Sequence, residues 1–172
     1  LFQDAVFWIK KNTPRLGSRL FMLNSAFLYT LSMSAKSRQA ESKRTESYAW
    51  HLFSMARARA DAMKCKDDSC MGSAQSVPYE IHTMLGDDVY QDWAKHRVNN
   101  TEHLQAAVSL FEQYPPANHR PFDMAERGMA TLAEGMGFPF GSKTEGSGDN
   151  PFKSEEECCE IEKKVLSSMK EQ

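Results

Sequence analysis

The sequence is short of β-branched residues. Ten Met and ten Phe stand beside few Val and Ile. Strands favour β-branched side chains, whereas helices favour Met, Leu and Ala, so this shortage argues against a sheet. No segment alternates apolar and polar residues as a half-buried strand would. The glycine patterns that cradle phosphates are also missing: there is no Walker loop, and no Gly-x-Gly-x-x-Gly behind a strand. The Gly-x-Ser-x-Gly elbow of serine hydrolases is absent. None of the five histidines, His51, His82, His96, His103 and His119, stands beside a Ser or Cys in a nucleophile motif. No Cys-x2-Cys or His-x3-His pair supplies zinc spacing. No internal repeat is present.

What remains is a helical, polar chain of 172 residues, enough for one domain or one domain with an extension. Charge is distributed unevenly. Residues 1–70 carry twelve Lys/Arg against six Asp/Glu, a net of +6, and residues 71–172 carry nine against seventeen, a net of −8. Such polarity can serve an anionic partner at the basic end, or the two halves can complement each other in the fold.

The most apolar stretch runs from Leu20 to Ala35, sixteen residues without a charge. A membrane-crossing helix needs roughly 20 apolar residues, and this run is shorter and contains Asn24 and several hydroxyls. A signal-peptide core would fit its length and its small-residue end, Ser32-Met33-Ser34-Ala35. A buried or partner-facing helix fits as well, because Leu20, Leu23, Phe27, Leu28 and Leu31 share one face. We expect these five residues to dock on a protein partner, with contact to a membrane as the other use of the same face.

Elsewhere the periodicity predicts helices over 2–11, 45–64, roughly 100–113, the stretch after Asp123, and 154–172. Residues 36–47 could continue the preceding helix or form a linker. In the 45–64 helix the apolar stripe is Ala49, Leu52, Phe53, Ala56, Ala60 and Met63, with Arg57 and Arg59 off it. Residues 65–77 read as a loop, and Pro78 as the start of a helix that Gly86 interrupts. Leu104, Ala107, Val108 and Phe111 form the clearest core stripe. Residues 141–151 have the composition of a flexible linker. Ser154 with Glu157 forms a capping box for the last helix, whose inward stripe is Cys158, Ile161, Val165 and Met169.

One row of residues could bind a metal. If residues 87–96 are helical, Asp88, Asp92 and His96 rise at i, i+4 and i+8. Carboxylates so spaced hold Mg²⁺ through water, or join a His around a transition metal. A second such motif on a facing helix is lacking, and acidic residues at a helix start are favourable without any metal. The cysteines form two pairs, Cys65 with Cys70 and Cys158 with Cys159. On a helix the vicinal pair points about 100° apart, so only one of the two faces inward. We expect at least one disulfide between the Cys65–Cys70 loop and the Cys158–Cys159 helix. Such a cross-link implies an oxidising compartment: secreted, periplasmic or lumenal. A basic run from Lys36 to Arg59 contains Tyr48, Trp50 and Phe53, as nucleic-acid binders do, but Glu41, Glu46 and Asp61 dilute it.

The sequence therefore predicts an all-α protein, an irregular bundle of five to six helices. Its parts are an apolar docking segment (1–35), a helical body (36–140), a flexible linker (141–153) and a C-terminal helix (154–172). The function expected is a non-catalytic interaction protein, an accessory subunit of a larger assembly, membrane-associated in one version. It needs no cofactor and no nucleic acid. The alternative is a metal-dependent helical enzyme using Asp88, Asp92 and His96.

Overall fold

The computed structural model describes residues 1–13, 16–96, 101–114 and 152–171. Among them the chain forms seven helices and no strand beyond one isolated bridge. In order these are α1 (Phe2–Asn12), α2 (Ser18–Met33), α3 (Ser37–Lys64), α4 (Cys70–Leu85), α5 (Asp87–His96), α6 (Thr101–Gln113) and α7 (Glu155–Lys170). The all-α expectation holds. The helix expected after Asp123 and the linker 141–151 lie outside the described residues.

Helix α3 is the axis of the bundle. Its 28 residues span about 42 Å at 1.5 Å per residue. Residues 37–47 are the first part of α3, so this stretch neither continues α2, which ends at Met33, nor forms a linker. Helices α2, α4, α6 and α7 all pack on α3, and α1 packs on α2.

The start of α4 corrects the sequence expectation. Residues 65–77 do not form one loop, because the helix already begins at Cys70. The reason is local. Asp67 Oδ1 accepts from both the Ser69 N–H (2.9 Å) and the Ser69 hydroxyl (2.6 Å). This closes a turn that leads into the helix, with the Cys70 N–H on the Asp67 carbonyl at 3.1 Å. Pro78 therefore lies within a helix instead of opening one, and the helix forgoes one rung of its ladder there. Gly86 ends α4 as predicted. Its φ of +75° is open to glycine at little cost. Its N–H bonds the His82 carbonyl, and its own carbonyl accepts from Tyr90 inside α5, both at 2.9 Å.

The last helix is held at its start. Ser154 and Glu157 form the predicted capping box, with the Glu157 N–H on Ser154 Oγ at 3.3 Å and the Ser154 N–H on Glu157 Oε2 at 2.9 Å. These bonds hold the Glu157 carboxyl below its usual range. Just before it, Phe152 pairs with Cys65 in the one antiparallel bridge, and the Lys153 N–H donates to the Lys64 carbonyl at 2.9 Å. Lys153 Nζ donates to the Met63 carbonyl at 2.7 Å. The C-terminal segment thus satisfies carbonyls that the end of α3 leaves open, and it puts a cation where the helix dipole favours one.

Candidate functional site

The N-terminal hairpin has an unexpected orientation. The buried face of α2 that packs against α3 mixes polar with apolar residues. Ser25 and Ser47 exchange hydroxyl-to-carbonyl bonds, each 2.7 Å long. Asn24, Ser18 and Ser32 are buried too, beside Phe21, Met22, Ala26, Leu28 and Tyr29. The predicted docking stripe mostly faces the other way. Leu28 is buried in the core with Phe21, Trp50 and Phe53, and Phe27 and Leu31 pack half-buried against that core. Leu20 and Leu23 are half-buried. Helix α1 lies over this side, its Phe2 ring 5.0 Å from that of Phe27, with Val6 and Ile9 buried. Within the hairpin the aromatic rings turned to solvent are on α1: Phe7 is 69% and Trp8 53% exposed; outside it, Tyr79 of α4 is 74% exposed. Met33, at the end of α2, is 54% exposed.

The metal row is placed on α5 as predicted. Asp88 and Asp92 are exposed. Asp92 Oδ2 accepts a hydrogen bond from the Tyr29 hydroxyl at 2.6 Å. The side chain of His96 is not among those the structure describes. Among the described residues no three His, Cys, Asp or Glu side chains group as a metal site.

All four cysteines are free thiols, so the predicted cross-link between the Cys65–Cys70 loop and α7 is not formed. The two regions do meet, but through backbone, at the Cys65–Phe152 bridge. Cys65 and Cys70 are buried against each other. Burial raises the pKa of the Cys65, Cys70 and Cys158 thiols, which keeps them protonated and poor nucleophiles. Cys159 is exposed. Of the inward stripe expected for α7, Val165 and Met169 are buried, and Cys158 and Ile161 partly so.

Sequence reasoning missed a buried ionic cluster. Arg57 was placed off the stripe of α3, yet it is 2% exposed. Its Nη1 meets Glu162 Oε1 at 2.7 Å, and its Nη2 donates to the Tyr114 carbonyl at 3.2 Å. Its guanidinium stands 4.2 Å from the centroid of Phe111. Lys64 pairs with the same Glu162 oxygen and lies 3.8 Å from Asp61. Two cations and two carboxylates thus compensate one another where α3, the end of α6 and α7 meet. A signal was present: Phe53, Arg57, Ala60 and Lys64 follow at i, i+4, i+7 and i+11, so Arg57 shares a face with the core residues.

A second missed group is a hydrogen-bonded aromatic cluster between α2, α3, α5 and α6. The Tyr48 hydroxyl donates to the Trp93 carbonyl at 3.2 Å. His51 stands edge-on to Trp93 at 4.7 Å, and His103 lies 4.9 Å from Tyr48. Burial pushes the Tyr48 phenol up to about 12 and raises Tyr29 further, so both stay neutral donors. Burial lowers the His103 pKa, against the opposing pull of Glu102.

The surface also carries an open groove of about 790 Å³ between the first half of α3 and α6. Trp50, Ala49, Ala106 and Leu110 line it together with Arg38, Glu41, Glu46 and Glu102. Glu46 is already paired with Lys10 of α1.

Among the described residues no helix is long and apolar enough to cross a membrane. Compared with protein-family models, with curated proteins and with solved structures, the chain matches none.

Proposed function

We propose that this is a non-catalytic helical interaction protein, an accessory subunit that docks on a larger assembly through its N-terminal hairpin, α1 with α2. The observation that carries this reading is the outward aromatic face of α1. A chain that buries Trp50 and Trp93 almost completely leaves Phe7 and Trp8 in solvent. Large exposed aromatics side by side on one helix mark a surface meant to be covered. The residues with the strongest chemical potential are meanwhile engaged in holding the fold. Asp92 is bonded by Tyr29, and Glu162 compensates Arg57 and Lys64. That occupation favours an interaction role over the metal-dependent alternative at Asp88, Asp92 and His96.

The double variant Phe7→Ser/Trp8→Ser tests the proposal. In detergent-free extracts of the source cells, the wild-type chain should travel with particles far larger than 19.5 kDa in native size separation. The variant should keep its helical circular dichroism and migrate as the free chain. A wild-type chain that migrates alone, or a variant that stays in the large particle, overturns the reading.

A further inference from the structure

The outer face of α1 has a chemistry that narrows its partner. Phe7 and Lys11 are one helical turn apart on it, with Trp8 beside them, and Lys11 is exposed. Over residues 1–40 the only acidic residue is Asp4, against Lys10, Lys11, Arg15, Arg19, Lys36 and Arg38. Within α1 and α2, Lys11 and Arg19 are exposed, while Lys10 pairs with Glu46; Lys36 and Arg38 belong to the start of α3, where Arg38 shares a groove with Glu41, Glu46 and Glu102. The hairpin therefore shows two aromatic rings amid an excess of positive charge.

We propose that this face docks on an anionic lipid surface, with Phe7 and Trp8 entering the headgroup layer and Lys11 meeting lipid phosphates. Trp sits well at such a boundary because its ring is apolar and its N–H is polar. Lysines near the surface add attraction to anionic lipid. No described helix can span a bilayer, so the contact lies on the membrane and does not cross it. A second copy of the chain is the poorer occupant. A two-fold contact across this face would set one basic hairpin against another, with Asp4 alone to compensate. This inference rests on the docking role proposed above and names the surface that α1 meets.

The test uses the purified full-length chain with two kinds of vesicle: phosphatidylcholine alone, and phosphatidylcholine containing phosphatidylserine. The protein should sediment with the second kind and not the first, and added salt should release it. Trp50 and Trp93 are buried, so a blue shift in emission on binding, and quenching by brominated acyl chains, should report Trp8 and vanish in Trp8→Ser. Lys11→Ala should weaken binding about fivefold. Phe7→Ser/Trp8→Ser, whose side chains make little of the core, should remain folded and fail to sediment. Equal binding to both vesicles, no binding by the folded chain, or Phe7- and Trp8-dependent dimers in analytical ultracentrifugation would each overturn the lipid assignment. If vesicle binding fails while the double variant still leaves its native particle, the docking face stands and its partner is a protein.

Discussion

Phe53 and Trp93 sit in two cores that hold their rings by different means. Around Phe53 the contacts are ring on ring: Phe21 at 4.8 Å, Trp50 at 5.6 Å and Phe111 at 6.3 Å. Its polar neighbour is Arg57, at the edge of the group, with its cation over Phe111. Around Trp93 the rings carry polar partners. Tyr48 bonds its carbonyl, Tyr29 bonds neighbouring Asp92, and the His51 ring meets both Trp93 and, at 3.2 Å, the Met22 sulfur. The apolar core can tolerate small shifts of its helices, since ring contacts are not strongly directional. The polar core tolerates fewer, because each hydrogen bond fixes one helix against another. The first contributes most of the cohesion and the second sets how α2, α3 and α5 align.

The largest expected effect tests the apolar side. Phe53→Ala should cost about 3–5 kcal/mol in urea unfolding, the range for truncating a buried aromatic. A loss below about 1 kcal/mol would mean that Phe53 does not centre a packed core. Arg57→Ala should follow at about 3 kcal/mol, the lower end for breaking a buried pair, because Lys64 still compensates Glu162. If instead the variant is as stable as the wild type, the ionic cluster does not hold α7 to α3.

These two residues also show what the sequence could reveal. Phe53 falls in a periodic apolar stripe, so its burial is legible. Leu104, Ala107, Val108 and Phe111 were legible for the same reason: Ala107 and Phe111 are buried, and Leu104 and Val108 partly so. The capping box at Ser154 is local chemistry and was read correctly. Arg57 has the right spacing for the core but the wrong residue type, and its partner Glu162 lies 105 residues away. Pairings at that distance leave no trace in periodicity. The buried serines of α2 hid in the same way, since Ser25 finds Ser47 only after the chain has turned back. Pro78 misled because proline favours a helix start, whereas the Asp67–Ser69 turn had already begun α4. The exposed aromatics of α1 were not legible either: Val6 and Ile9 show its buried face, but nothing local says that Phe7 and Trp8 lack cover.

The polar core should lose less per substitution. Tyr29→Phe removes a hydroxyl bonded to Asp92 at 2.6 Å and leaves the ring in place. Asp92 is exposed and regains water, so the expected loss is about 1 kcal/mol. If hydrogen bonds set the alignment of this core, near-ultraviolet circular dichroism should change more than stability does. An unchanged spectrum would reduce the Tyr29 bond to one contact among many and weaken the contrast between the cores.

The smallest effect is in pH, and it should belong to the polar core alone. Burial against Tyr48 lowers the pKa of His103 below its ordinary 6.5, with Glu102 pulling the other way. The folded state therefore binds this proton less readily than the unfolded chain does. The stability that neutral His103 contributes is complete above the unfolded value of about 6.5 and is lost as pH falls below it, down through the lowered folded pKa. Carboxylates titrate at lower pH, so the histidine step has to be isolated by substitution. His103→Gln keeps a polar side chain of similar size and removes the titration. Unfolding free energies at pH 7.5 and 5.5 should fall more for the wild type than for His103→Gln. Phe53→Leu, made in the apolar core, should keep the wild-type slope. Equal slopes for the wild type and His103→Gln would show that His103 does not titrate differently in the fold, and would remove pH from the list of properties that separate the two cores.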